Sequence, residues 1–322
     1  MSELLKSIDG RTKLAGTNKL EVLLFTLGVD QRTGRRETFG INVFKVREVM
    51  RTPDITRAPE MPSAVEGMVS LRGALVPVVD LGKYAGVNAA AAPEVMIVTE
   101  YNGHTQGFLV EAVDTILRLD WSTVKVPPAM LTAQTGGLVT AVTELPDKRL
   151  VMMMDVEKVL AETSRYDDDA SFKSIHPFEG ERYTIFFVDD SIVARKQIAK
   201  TLDTLHIKHM SSVNGLVAWQ ELQRLAERAE AMEEKLSNQI QLVLTDVEMP
   251  EMDGYMLTRN IKSDPRFADI PVVMHSSLSG MSNQQLGKSV GVDEYVAKFE
   301  PKTLSDTICR LLVKLSQTTP EE

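Results

Sequence analysis

The sequence contains one cysteine, Cys309, in 322 residues. No internal disulfide is therefore possible, and a reducing compartment is expected. Cys309 sits in an apolar helical pattern and reads as a packing residue. Without cysteine partners, His206 and His209 make no zinc site of the usual kind. Long hydrophobic runs are also missing. GALVPVVDLG is too short to span a bilayer and carries Asp80. The opening MSELLKSIDGRTK has neither an uninterrupted apolar stretch nor a small-residue cleavage site, so it is not read as a secretory signal. There is no excess of basic charge: the net charge is −9, with −1 on residues 1–166 and −8 on residues 167–322. Such a balance argues against nucleic acid as a partner. No phosphate-binding loop or dinucleotide fingerprint is present.

What remains is an ordinary soluble composition, 43% hydrophobic and 25% charged, long enough for two domains. In the first part, short β-prone runs alternate with turns. LEVLLFTLG, TFGINV, GMVSL, ALVPVVDL, VMIVTEY, FLVEAVDTILRL, GLVTAVTEL and RLVMMMDV read as strands, and FKVREVM has helical spacing. Arg72-Gly73, Asn102-Gly103 and Pro146-Asp147 mark turns. VEKVLAE closes the segment as a helix. Many short strands predict a small barrel or sandwich. Met152, Met153 and Met154 alternate across a strand and read as core. From 163 to 181 charged, small and helix-breaking residues without periodicity predict a linker.

The second part alternates strand and helix. YTIFFVDD, HMSSV, IQLVLTDV, IPVVMHSS and DEYVAK are the strands, and Ser191 is the expected N-cap of the first helix. Five such repeats predict a doubly wound parallel sheet with its ligand crevice beyond the strand C-termini. Asp189, Asp190, Asp246, Ser276 and Lys298 all fall at those ends. Three carboxylates together call for an oxygen-seeking cation, best Mg²⁺. Asp246, on the middle strand, is the expected nucleophile toward phosphorus. Lys298 and Ser276 are placed to offset and hydrogen-bond the phosphoryl oxygens. The helix around Leu216–Leu236, rich in Glu and Ala, is expected to present a solvated or interdomain face.

VDDS (188–191), LTDVEMPEMDG (244–254), IPVVMHSS (270–277) and EYVAK (294–298) resemble the receiver domain of two-component response regulators. The resemblance covers about residues 182–316. It implies that Asp246 is the phosphoacceptor. Asp189, Asp190, Asp246 and the Glu248 carbonyl would hold Mg²⁺, Ser276 would be the switch hydroxyl, and Tyr295 the aromatic that reorients with it. Phe299 departs from the proline that commonly follows the lysine, and Glu248 adds an acid beside the site.

In the first part FTLG, TFGINVFKVREV, EGMVSLRGALVPVVDL and LVTAVTELPDKRLVMMMDVEKVL resemble the chemotaxis coupling protein family CheW, over about residues 18–162. That family folds as two small five-stranded SH3-like β-barrels. The resemblance places Arg72, Val46 and Glu48 at contacts with receptor or kinase. The expected organisation is thus an N-terminal segment (1–17), an all-β coupling domain (18–162), a linker (163–181), an α/β receiver (182–316) and a tail (317–322). A coupling domain joined to a receiver resembles the CheV family. It implies a non-enzymatic adaptor between chemoreceptors and the CheA histidine kinase, with CheW as a further array partner. Phosphorylation of Asp246 would modulate coupling, or the receiver would act as a phosphate sink. The implied location is cytoplasmic, at receptor arrays on the inner face of the membrane, without insertion. A phosphatase of the haloacid type would need D-x-D on the first strand, whereas VDDS leads directly into a helix.

Overall fold

The structure is a computed structural model. It describes residues 19–57, 59–101, 104–163, 172–178, 183–277, 285, 287–298 and 300–318. The chain divides into two compact units, with the boundary after residue 165. Among the described residues no helix is long and apolar enough to cross a membrane.

Among the described residues the first unit has ten strands: β1 (Lys19–Asp30), β2 (Arg35–Asn42), β3 (Val46–Arg51), β4 (Val65–Leu71), β5 (Ala74–Asp80), β6 (Val95–Tyr101), β7 (His104–Val110), β8 (Ala112–Asp120), β9 (Val139–Glu144) and β10 (Leu150–Met154). They form two five-stranded sheets, ordered β8-β1-β2-β10-β9 and β3-β6-β7-β5-β4. A two-way backbone bridge closes each sheet on itself. Lys125, just past edge strand β8, exchanges 2.8 Å hydrogen bonds with Val142 of β9. Thr56, past β3, does the same at 2.9 Å with Met68 of β4. Edge joined to edge makes each sheet a small barrel, and closure removes exposed edges.

Strand alternation explains the near-continuous apolar run of β1. Leu20, Val22 and Leu24 fill one barrel together with Val151 and Met153. Leu23, Phe25 and Leu27 face a second core that also takes Val79, Ile97 and Phe108 from the other sheet. The helix Val156–Thr163 adds Val156, Val159 and Leu160 to that shared core. Its buried Glu157 pairs with Lys45 at 2.8 Å.

The expected helix at FKVREVM is not formed. Val43–Lys45 makes a single 3₁₀ turn, and Val46 to Arg51 pairs antiparallel with β6. The segment is too short for helical spacing to outweigh a ladder with a neighbouring strand. The Arg72-Gly73 turn is a two-residue hairpin with both residues at positive φ, 51° and 86°, between paired Leu71 and Ala74. That is the twist a type I′ turn supplies. The Asn102-Gly103 turn lies outside the described residues.

The second unit carries β11 (Thr184–Val188), β12 (Lys208–Ser212), β13 (Leu242–Thr245), β14 (Val272–Ser276) and β15 (Glu294–Ala297). They form one parallel sheet ordered β12-β11-β13-β14-β15. The helices Ile192–Thr204 and Pro301–Thr318 pack with one apolar layer, Gly215–Ala231 and Gly254–Ser263 with another. Phe187 faces the first layer, and Phe186 and Val188 the second. Ser191 caps Ile192–Thr204 as expected. The helix expected between β14 and β15 falls largely outside the described residues.

Two expectations are corrected here. Residues 172–178, expected within the linker, are part of the second unit's core: Phe172 and Ile175 are buried against it, with the Lys200 ammonium 4.1 Å above the Phe172 ring. Three apolar residues spaced by three were hidden among charged neighbours. The Glu- and Ala-rich helix ends at Ala231, and its Ala218, Leu222, Ala226 and Ala229 are buried under the sheet. Small residues there admit close packing of helix on strand, so only the opposite face is solvated.

Candidate functional site

Strand register builds the acidic pocket. Val188 of β11 lies opposite Thr245 of β13, and the next residues leave the sheet side by side. The Asp246 N–H donates to the Val188 carbonyl at 2.9 Å. Asp189, Asp190 and Asp246 each offer an oxygen within 4.8 Å of the other two. On the far side, Ser276 pairs with Ala297, and the Lys298 N–H donates to the Ser276 carbonyl at 3.0 Å. The Lys298 ammonium then reaches Asp189 at 2.9 Å and Asp246 at 3.1 Å.

Lys298 is 1% exposed, Asp189 0% and Asp246 4%. A buried ammonium survives only with charge partners, and these two carboxylates supply them. Backbone donors hold each acid's other oxygen: Ser191 N–H on Asp189 at 2.9 Å, Val247 N–H on Asp246 at 2.7 Å. Three carboxylates against one ammonium leave a surplus of negative charge in a mostly buried site. An all-oxygen donor set of that charge fits Mg²⁺.

The loop after Asp246 is pinned by the DG pair. Gly254 N–H donates to the Val247 carbonyl at 2.9 Å, and a Cβ at Gly254 would stand 1.9 Å from the Asp246 carbonyl oxygen. Only glycine admits this approach. Asp253 caps the helix Gly254–Ser263 through the Met256 N–H at 2.7 Å. Burial pushes its carboxyl up to about 6, against the pull of the Met256 and Tyr255 backbone donors.

Ser276 and Tyr295 are brought together. Burial raises the Tyr295 phenol above its ordinary range, the hydrogen bond with Ser276 pulls it back, and the Asp246 and Glu248 charges raise it further. Glu248 stands in the loop two residues beyond Asp246. Phe299 lies outside the described residues. The sequence reading assigned no role to Asp253, Gly254 or Arg195. The first two were visible within the MDG motif, whereas Arg195 shows itself only through its hydrogen bond.

In the first unit, Arg72 at the hairpin tip meets Glu48 of β3 at 2.9 Å, and the Arg72 side chain is 69% exposed. Arg47, next to Glu48 in sequence, pairs with Glu100 of β6 at 3.0 Å. Val46 does not share this surface. It is 4% exposed and packs in the core shared by the barrels, so its expected partner contact is corrected to core packing. A register shift in the β3–β6 ladder between Val46 and Glu48 breaks the alternation, so Val46 is buried while Glu48 reaches the surface.

Comparison with known proteins agrees with both units. The profile of the CheW-like domain family matches residues 21–164, and that of the response regulator receiver domain matches residues 185–308. Chemotaxis protein CheV3 of Helicobacter pylori is 29% identical over 92% of this chain and 96% of its own length. Chemotaxis protein CheV1 of the same organism is 28% identical over 97% and 99%. Among solved structures, the scaffolding protein TtCheW from Thermoanaerobacter tengcongensis matches 42% of this chain and 88% of its own, at 27% identity and a TM-score of 0.37. The chain joins a CheW-like domain to a response regulator receiver domain, is similar over most of its length to CheV proteins, and is a chemotaxis coupling adaptor with a receiver domain.

Proposed function

We propose that this adaptor links chemoreceptors to the CheA histidine kinase, and that the kinase phosphorylates it on Asp246 to modulate that link. The observation that carries the reading is the Lys298 bridge between Asp189 and Asp246. It supports a pocket arranged for phosphoryl transfer rather than a structural ion pair, because a third carboxylate, Asp190, crowds the same space.

In this reading an Asp246 carboxylate oxygen attacks the phosphorus of a phosphohistidine. The P–N bond breaks with its electron pair leaving on the imidazole, and an acyl phosphate forms. Lys298 offsets the charge on the transferred oxygens, and the Ser276 hydroxyl donates to one of them. Ser276 turning toward the phosphoryl group would draw Tyr295 with it. Asp189, Asp190, Asp246 and the Glu248 carbonyl would hold Mg²⁺, which would supply further neutralisation when bound. On the coupling domain, Arg72 and Glu48 form the partner-facing surface. The adaptor works at receptor arrays on the cytoplasmic side of the membrane, with CheW as a companion in the array.

The test is transfer of labelled phosphate from autophosphorylated kinase to the intact protein and to Asp246→Asn. Label on the wild type alone supports the reading. Equal label on both, or none on the wild type, overturns it.

A further inference from the structure

The helix Ile192–Thr204 follows directly on the acidic pair, and Arg195 lies in its first turn. Its side chain is half-buried and folds back over the start of the helix. There Nη1 donates to the main-chain carbonyl of Asp189 at 2.6 Å. This carbonyl belongs to the peptide unit that joins Asp189 to Asp190. The strand ends at Val188, so this unit lies past the paired strand residues; the unit before it is still held by the Asp189 N–H, which donates to the Ser212 carbonyl at 3.4 Å.

The two acids are therefore held by different means. The Asp189 carboxylate is gripped by the Ser191 N–H and by Lys298. The backbone that aims Asp190 is gripped by the guanidinium. An arginine loses side-chain freedom when it folds back, and a charge-assisted bond to a carbonyl offsets that loss. Groups that orient metal ligands, without touching the metal, commonly govern affinity.

We propose that Arg195 is a positioning residue of the acidic pocket: by clamping the Asp189–Asp190 peptide it points both carboxylates at one cation. The assignment rests on the Mg²⁺ reading above. It also opposes the simplest electrostatic expectation. A cation near the pocket repels Mg²⁺, so loss of the arginine charge alone would tighten binding. Loss of the clamp weakens it. The sign of the change separates the two roles.

The experiment is calorimetric titration of Mg²⁺ into the full-length protein, its Arg195→Met variant and its Arg195→Lys variant. Melting curves in EDTA confirm that each is folded. Arg195→Met is expected to bind Mg²⁺ about 10-fold more weakly. Arg195→Lys, which retains one donor for the carbonyl, is expected to lose less. Methylguanidinium at millimolar concentration is expected to restore part of the Met variant's affinity. If Arg195→Met does not fold, the Lys variant carries the test, and affinity at or above the wild-type value overturns the assignment. Unchanged or tighter binding by a folded Met variant overturns it too. Absence of Mg²⁺ binding by the wild type overturns the metal reading itself and the assignment with it.

Discussion

Arg72 and Glu48 meet at 2.9 Å although their strands are opposite edges of one sheet, ordered β3-β6-β7-β5-β4. The contact exists because the sheet closes, and closure brings a hairpin tip over an edge strand. An exposed pair of this kind adds little stability, about 1 kcal/mol or less. Its exchange, Arg72→Glu with Glu48→Arg, restores the pair with its charges swapped. The swapped protein is expected to unfold in urea at nearly the wild-type concentration, yet fail to bind the kinase. Wild-type binding by the swapped protein would remove these residues from the partner surface.

Lys298 bridges two buried carboxylates. Lys298→Met leaves them facing each other, and removing one member of a buried charge cluster typically costs roughly 3–5 kcal/mol. Urea unfolding in EDTA is expected to reveal this loss. Mg²⁺ is expected to recover part of it, since a ligand that binds only the folded state stabilises it by mass action. The variant should accept no phosphate from the kinase.

Gly254 lies against the backbone of Asp246. In Gly254→Ala, the added methyl must displace the loop that carries the proposed phosphoacceptor. Overpacking of this kind costs typically about 1–3 kcal/mol. A lower unfolding midpoint together with slower labelling of Asp246 is the expected outcome.

Much of the site was legible in the sequence because strand ends converge in a doubly wound sheet whatever the details of packing. Asp189, Asp190, Asp246, Ser276 and Lys298 needed only strand boundaries and order. Tertiary closure was not legible. Val46 and Glu48 are two residues apart on β3, which regular alternation would put on one face, and the register shift against β6 that separates them is set by a non-local partner. The strand itself was read as helix, because pairing with β6 is a non-local contact. Phe172 and Ile175 were missed for the opposite reason: with Phe178 they make only three apolar residues in a polar stretch, too short a run for spacing by three to mark a buried element. Arg195 was missed because its partner is a carbonyl, and carbonyls leave no trace in sequence.

Asp253 makes stability depend on pH. Its carboxyl is pushed from 3.8 in the unfolded chain up to about 6 in the fold. Between those values the folded state holds a proton that the unfolded state has released. Stability from this group is therefore fully present below pH 3.8 and is lost as pH rises through 6. The span corresponds to about 3 kcal/mol. Asp253→Asn keeps a cap oxygen and does not ionise. Its stability relative to wild type is expected to rise between pH 4 and pH 7 by an amount of this order. A constant difference across that range would contradict the assignment.

Phosphorylation of Asp246 is proposed to alter coupling by the CheW-like domain. The most direct test reconstitutes receptors and histidine kinase with this protein as the only coupler. Kinase activity is read with and without beryllofluoride and Mg²⁺, which imitate the phosphoryl group, and Asp246→Asn serves as control. The coupler is expected to activate the kinase, and beryllofluoride to change this activity for the wild type but not for Asp246→Asn. Activation that beryllofluoride leaves unchanged would contradict phosphorylation-controlled coupling and leave a scaffold with a phosphate sink attached.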